Sequence, residues 1–143
     1  LTEALDPRVF ASTCLCLAVR RAARTLSRRY DEVLADLGVN HGQFTILMAL
    51  SSDRPVSIGE LSADLDVDRT SLTMALKPLA RDGLLRLRPD PTDGRARVVT
   101  LTDKGRSVLD AAIPRWRGAQ ADTLKATRLE DDRALRAALA ALA

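Results

Sequence analysis

The chain has 143 residues, room for one ordinary domain and too few for two with separate cores. A hydrophobic fraction of 46%, a charged fraction of 29% and only 3% aromatic residues describe a globular, Ala- and Leu-based composition, which argues against intrinsic disorder and against a β-sandwich. Twenty-two basic residues against nineteen acidic ones give a net charge of +3, a bias that suits a polyanionic partner without requiring one. No apolar run reaches the length of a membrane span and the start has no signal-like pattern, so a soluble, cytoplasmic chain is expected, with no membrane partner. Cys14 and Cys16 have no His or Asp companions at ligand spacing; neither a disulfide framework, a metal site nor a cofactor is expected.

In chain order, Cys16, Val19, Ala23, Leu26, Tyr30, Val33 and Leu37 alternate at spacings of three and four, which predicts one long helix from about Val9 to Leu37. Such a helix would run about 43 Å, longer than a local core needs, and part of it is expected to pack on a second chain. Gly38 is placed to end it, and Asn40 with Gln43 to start a short helix whose apolar face is Phe44, Leu47 and Leu50. Ser57 and Glu60 form a capping box for a two-turn helix with Leu61 and Leu65. Asp68 then caps a helix from Arg69 to about Arg81 with Leu72, Leu76 and Leu79 inward, ended by Gly83. Pro78 is expected to bend this helix. Two short helices joined tightly, the second opening on a polar turn, make a helix-turn-helix. Leu84 to Arg88 and Arg97 to Leu101 read as strands around the turn-rich Pro89–Gly94, a hairpin with a basic tip. Thr102 caps a helix carrying Leu109, Ile113, Trp116 and Leu124, with a kink expected at Pro114. Thr127 and Glu130 box the last helix, with Leu135, Leu139 and Leu142 in a row.

The expected fold is therefore mainly α with a small β-hairpin wing, a winged helix-turn-helix flanked by N- and C-terminal dimerisation helices. A single domain divides into a DNA-binding lobe at 40–102 and dimerisation helices at 1–38 and 103–143. This order resembles the MarR family of bacterial transcription regulators. The likeness is most specific from Leu61 to Gly105: the helix-turn-helix, the Gly83-Leu84 entry to the wing, the Asp93-x-Arg95 tip and the Leu101-Thr102-x-x-Gly105 exit.

A helix offered to the major groove needs polar donors on its first turns. Arg69, Thr70, Ser71, Thr73 and Lys77 supply them: Arg69 has the fork that pairs with guanine, and the hydroxyls can meet phosphates or bases. The wing tip carries Arg95, with Arg97, Arg86 and Arg88 on its strands, and a guanidinium there suits a narrow minor groove. By the resemblance Arg95 is the inserted residue and Asp93 holds it in place. Arg20, Arg21, Arg24, Arg28 and Arg29 read as a solvated face, Arg28 within reach of Glu32. With one histidine and no nucleophile triad, no catalytic constellation is visible and the chain is not read as an enzyme.

Cys16 falls on the apolar stripe and Cys14 off it, so Cys16 is expected to be buried, a small hydrophobe. The alternative is a thiol sensor, because the segment from Leu15 to Tyr30 resembles the first helix of the organic-hydroperoxide-sensing branch of the same family. There the reactive thiol falls at Cys16 and tyrosines help hold it; here Tyr30 matches one, and Arg20 and His41 stand where two others are expected. The rest of the family binds small effectors between its two lobes, where Arg20, His41 and Trp116 are candidate lining residues. The reading is a homodimeric repressor of a pseudo-palindromic double-stranded operator, released by a small-molecule effector. A thiol-based peroxide sensor and a winged-helix protein-interaction module are the alternatives.

Overall fold

The computed structural model describes residues 6–52, 54–127 and 132–142. The element order is α1 (Pro7–Thr13), α2 (Leu15–Leu34) with a 3-10 turn at Ala35–Leu37, α3 (His41–Ala49), β1 (Val56–Ser57), α4 (Ile58–Asp64), α5 (Arg69–Arg81), β2 (Leu85–Pro89), β3 (Arg97–Leu101), α6 (Asp103–Thr127) and α7 (Arg133–Ala140). The expected class, helices around a small β wing, is the class formed.

The first helix departs from expectation. It is broken at Cys14, whose backbone is extended at ψ 105. The hydroxyls of Ser12 and Thr13 both donate to the Val9 carbonyl, at 3.0 and 2.7 Å, a local competition for the backbone acceptor that weakens helix continuity. The apolar stripe is also divided. Tyr30 and Leu34 are buried and Val33 and Leu37 pack on the core, but Cys16 and Ala23 are exposed, because α2 makes its main contacts with α3, α6 and the 3-10 turn.

Helix boundaries elsewhere follow local chemistry. Gly38 ends the 3-10 turn in the left-handed region at φ 73, a conformation that costs a side chain but not a glycine. The capping boxes Asn40/Gln43 and Ser57/Glu60 are both made. One core joins the end of α2 to α3, α4, α5, the sheet and α6, with Leu34, Leu47, Leu61, Leu79 and Val99 wholly enclosed. The sheet is antiparallel in the order β1-β3-β2, in register from Leu85 opposite Leu101 to Pro89 opposite Arg97. β1 has too few residues to show an alternation; it exists because Val56 pairs with Val99 and is buried there.

α6 starts on Thr102, whose hydroxyl accepts from the Gly105 amide at 3.0 Å, and continues through Pro114 to Thr127. Arg115 ties it to the 3-10 turn through Asp36. Tyr30 donates to Gln120 Oε1 at 2.5 Å, and the Gln120 amide donates to Asp132 at 3.4 Å, linking α2, α6 and the approach to α7. Glu130, the second half of the last capping box, lies outside the described residues; Thr127 directs its hydroxyl back to the carbonyls of Thr123 and Leu124. Leu135, Leu139 and Leu142 stay exposed. Among the described residues no helix is long and apolar enough to cross a membrane.

Candidate nucleic-acid interface

The two helices of the motif are set by their caps. Ser57 accepts from the Glu60 amide at 3.1 Å and its own amide donates to Glu60 Oε2 at 2.9 Å; that backbone hydrogen bond is the first reason the Glu60 carboxyl sits below its ordinary range. Between α4 and α5 the chain reverses through Asp66 at φ 50, a left-handed position that Asp tolerates better than most residues. Ser62 Oγ fastens the turn by donating to the Val67 carbonyl at 2.6 Å. Asp68 then caps α5, accepting from the Ser71 hydroxyl at 2.6 Å and the Ser71 amide at 2.8 Å, which together lower its proton affinity.

Leu72, Leu76 and Leu79 anchor α5 in the core, so Arg69, Thr70, Thr73 and Lys77 face outward, as expected, with Ser71 exposed beside them. Their hydrogen-bonding capacity differs from the sequence reading. The proton of Ser71 is engaged by Asp68, and that of Thr73 by the Arg69 carbonyl at 2.7 Å. Arg69 folds back over α4: an ideal Cβ on Gly59 would come within 3.0 Å of its Nη2. Among the described residues no partner engages the side-chain donors of Thr70 and Lys77, and Met74, absent from the sequence reading, is 58% exposed among them. Pro78 does not interrupt α5; having no N–H, it leaves the Met74 carbonyl without its helical donor.

The wing tip is folded by carboxylates. Asp90 Oδ1 accepts from the amide and hydroxyl of Thr92 at 2.8 and 2.7 Å, which depresses its proton affinity, and the Asp90 amide donates to the Ala96 carbonyl across the tip. Asp93 Oδ1 accepts from the Arg95 backbone amide at 3.0 Å, so Asp93 positions the main chain of Arg95. Among the described residues the Arg95 guanidinium has no partner, and Arg95 is exposed. The other wing arginines divide: alternation puts Arg86 and Arg88 on one face of the hairpin and Arg97, opposite Pro89, on the other.

Recognition helix, wing and α6 are joined at one point. Thr102 donates its amide to the Leu84 carbonyl at 3.1 Å and its hydroxyl to the Gly83 carbonyl at 2.6 Å; Lys104 Nζ reaches the Asp82 carbonyl at 2.7 Å. Gly105 lies so close to this turn that a Cβ there would stand 1.9 Å from the Leu84 oxygen.

The candidate ligand and redox residues fall into two groups. Tyr30 and His41 stack at 4.9 Å between ring centres, His41 and Phe44 lie 6.4 Å apart, and Phe44 stacks on Trp116 at 6.1 Å, an aromatic row between α2, α3 and α6. The His41 amide donates to Asp31 at 2.7 Å; burial lowers the imidazole's proton affinity more than the Asp31 charge raises it. Cys16 and Arg20 do not join this row. Both are exposed, and Cys16 stands about 21 Å along α2 from Tyr30. The expected burial of Cys16 therefore fails within one chain. The basic residues of α2 are solvated as expected, but among the described residues Arg28 makes no ion pair with Glu32. No group of three metal-ligating side chains occurs among the described residues.

A donor-bearing helix and an arginine-tipped hairpin on one lobe, with long helices at both ends, define a winged helix-turn-helix protein. A sequence model described as MarR family matches residues 37–96. The chain is 35% identical over 103 residues to the HTH-type transcriptional regulator TtmR of Methylorubrum extorquens, covering 72% of this chain and 52% of TtmR. It is 30% identical over 128 residues to the transcriptional activatory protein BadR of Rhodopseudomonas palustris, covering 85% of this chain and 72% of BadR. The crystal structure of the M. tuberculosis transcriptional regulator MOSR in complex with DNA superposes with a TM-score of 0.82 at 38% identity, over 90% of this chain and 92% of that one. The chain belongs to the MarR family.

Proposed function

We propose that the protein is a homodimeric, sequence-specific transcription regulator of the cytoplasm, a repressor that leaves its operator when a small-molecule effector binds. The observation that carries this reading is the unengaged guanidinium of Arg95 on a wing beside the exposed face of α5, on a chain related to a regulator crystallised with DNA. Residues 40–102 would form the DNA-binding lobe, with α5 in the major groove and Arg95 in the adjoining minor groove. Thr70 and Lys77 act as donors, and Arg69 would swing from Gly59 to reach a base. Dimerisation through 1–38 and 103–143 is supported by an apolar groove of about 580 Å³ between α2, α6 and α7, lined by Leu26, Leu124, Leu135 and Leu139. Two-fold symmetry then demands a pseudo-palindrome with half-sites about one helical turn apart. The aromatic row of Tyr30, His41, Phe44 and Trp116 sits at the junction of the lobes, where an occupant can alter their relative placement.

Fluorescence anisotropy across a salt series tests the DNA reading. Arg95→Ala is expected to weaken binding and flatten the slope of log affinity against log salt, with thermal stability unaltered. Arg69→Ala is expected to cost about 1–3 kcal/mol and relax preference at one operator position. Unchanged affinity in both variants overturns the interface, and a lack of salt-dependent operator binding in the wild type favours the protein-interaction module. The exposure of Cys16 favours a second reading, in which oxidation of that thiol releases the DNA.

A further inference from the structure

The exposed face of α5 contains one side chain with no hydrogen-bonding role. Met74 is 58% exposed, one residue after Thr73 and flanked along the helix by Thr70 and Lys77, and it lines a shallow depression with Arg69, Thr70 and Thr73. The groups around it are less polar in effect than their names suggest. The Thr73 and Ser71 protons are engaged within the protein. The centre of the face thus offers a thioether chain and a threonine methyl. In the major groove only one base-pair edge presents an apolar group, the C5-methyl of thymine. Met74 is long, unbranched and polarisable, so it can follow that methyl without a fixed rotamer.

We propose that Met74 is a specificity-determining residue that packs against a thymine C5-methyl in each half-site. The assignment rests on the DNA-binding reading above. It explains why an apolar side chain stands in water at the middle of a face otherwise built of hydroxyls and cations: its area is removed from water only in the complex.

The test uses the full chain and a duplex enriched by it from a pool with a randomised core, with each thymine then replaced singly by deoxyuridine, which deletes only the methyl. At one thymine per half-site the wild type is expected to lose about fourfold in affinity, the burial of one methyl group. Met74→Ala should bind the thymine and uracil duplexes equally, while Met74→Leu keeps the preference. Met74 makes no core contact, so these variants are expected to fold as the wild type does. A wild type indifferent to the methyl at every thymine, or a loss that persists in Met74→Ala, overturns the assignment and leaves DNA binding standing. A pool from which no duplex is enriched overturns the DNA reading and this assignment with it.

Discussion

Replacing Gly105 by alanine pits two physical effects of opposite sign against each other. Gly105 lies inside α6, where alanine is favoured over glycine by about 1 kcal/mol. Yet its Cβ would fall 1.9 Å from the Leu84 oxygen and 2.9 Å from the Leu84 carbonyl carbon, whereas real Cβ contacts do not go under 3.0 Å. The first turn of α6 must therefore move by about 1.1 Å from the Gly83-Leu84 turn. That movement carries the Thr102 amide, now 3.1 Å from the Leu84 oxygen, out of hydrogen-bonding range and strains the 2.6 Å bond from the Thr102 hydroxyl to Gly83. One lost hydrogen bond amounts to about 1 kcal/mol, and a buried carbonyl left without a donor adds about 1–3 kcal/mol. After subtracting the propensity gain, Gly105→Ala is expected to destabilise by about 1–3 kcal/mol, a fall in Tm of roughly 2–12 °C for a chain of this size. Thermal unfolding at matched protein concentration reads it directly, since the Tm of an associating chain depends on concentration. An unchanged or raised Tm would mean that the turn yields freely and that the joint between recognition helix, wing and α6 is not the rigid contact described.

The remaining predictions concern the row, the interface and the thiol. Because burial holds the His41 imidazole below its ordinary proton affinity, the unfolded chain takes up that proton first as pH falls below about 6.5. Wild-type stability should thus decline more steeply than that of His41→Gln between pH 7 and pH 5; parallel declines in urea unfolding would refute it. Leu135→Asp together with Leu139→Asp puts two carboxylates on the exposed apolar row of α7 and should abolish the dimer, so a dimeric double variant by sedimentation equilibrium would contradict the assigned interface. Under the small-molecule reading Cys16→Ser matches the wild type in operator affinity and in its response to low organic hydroperoxide. Release of the wild type alone would establish the thiol reading instead.

What the sequence by itself determined is the set of interactions that close within a few residues. The boxes at Asn40/Gln43 and Ser57/Glu60, the Asp68 cap and the left-handed glycines at 38 and 83 involve partners no more than four positions apart, so a single linear pattern specifies both members. The order of helices and hairpin followed from these stops and starts, and with it the outward face of α5 and the Arg95 tip. Some local competition still escaped the pattern: the Ser12 and Thr13 bonds to Val9 that accompany the break at Cys14 leave the spacing of apolar residues untouched.

Only the tertiary structure decided which distant groups meet and which stand apart. Periodicity assigns a residue to a stripe but not to a neighbour, so Cys16 and Tyr30 looked equivalent until α3 and α6 were found to cover one and not the other. The same limit hid β1, which exists through Val99, and the fold of Arg69 over Gly59. Gly105 shows the physical reason most plainly: its lack of a side chain is required by a carbonyl twenty-one residues away in the sequence, a distance no local preference can register.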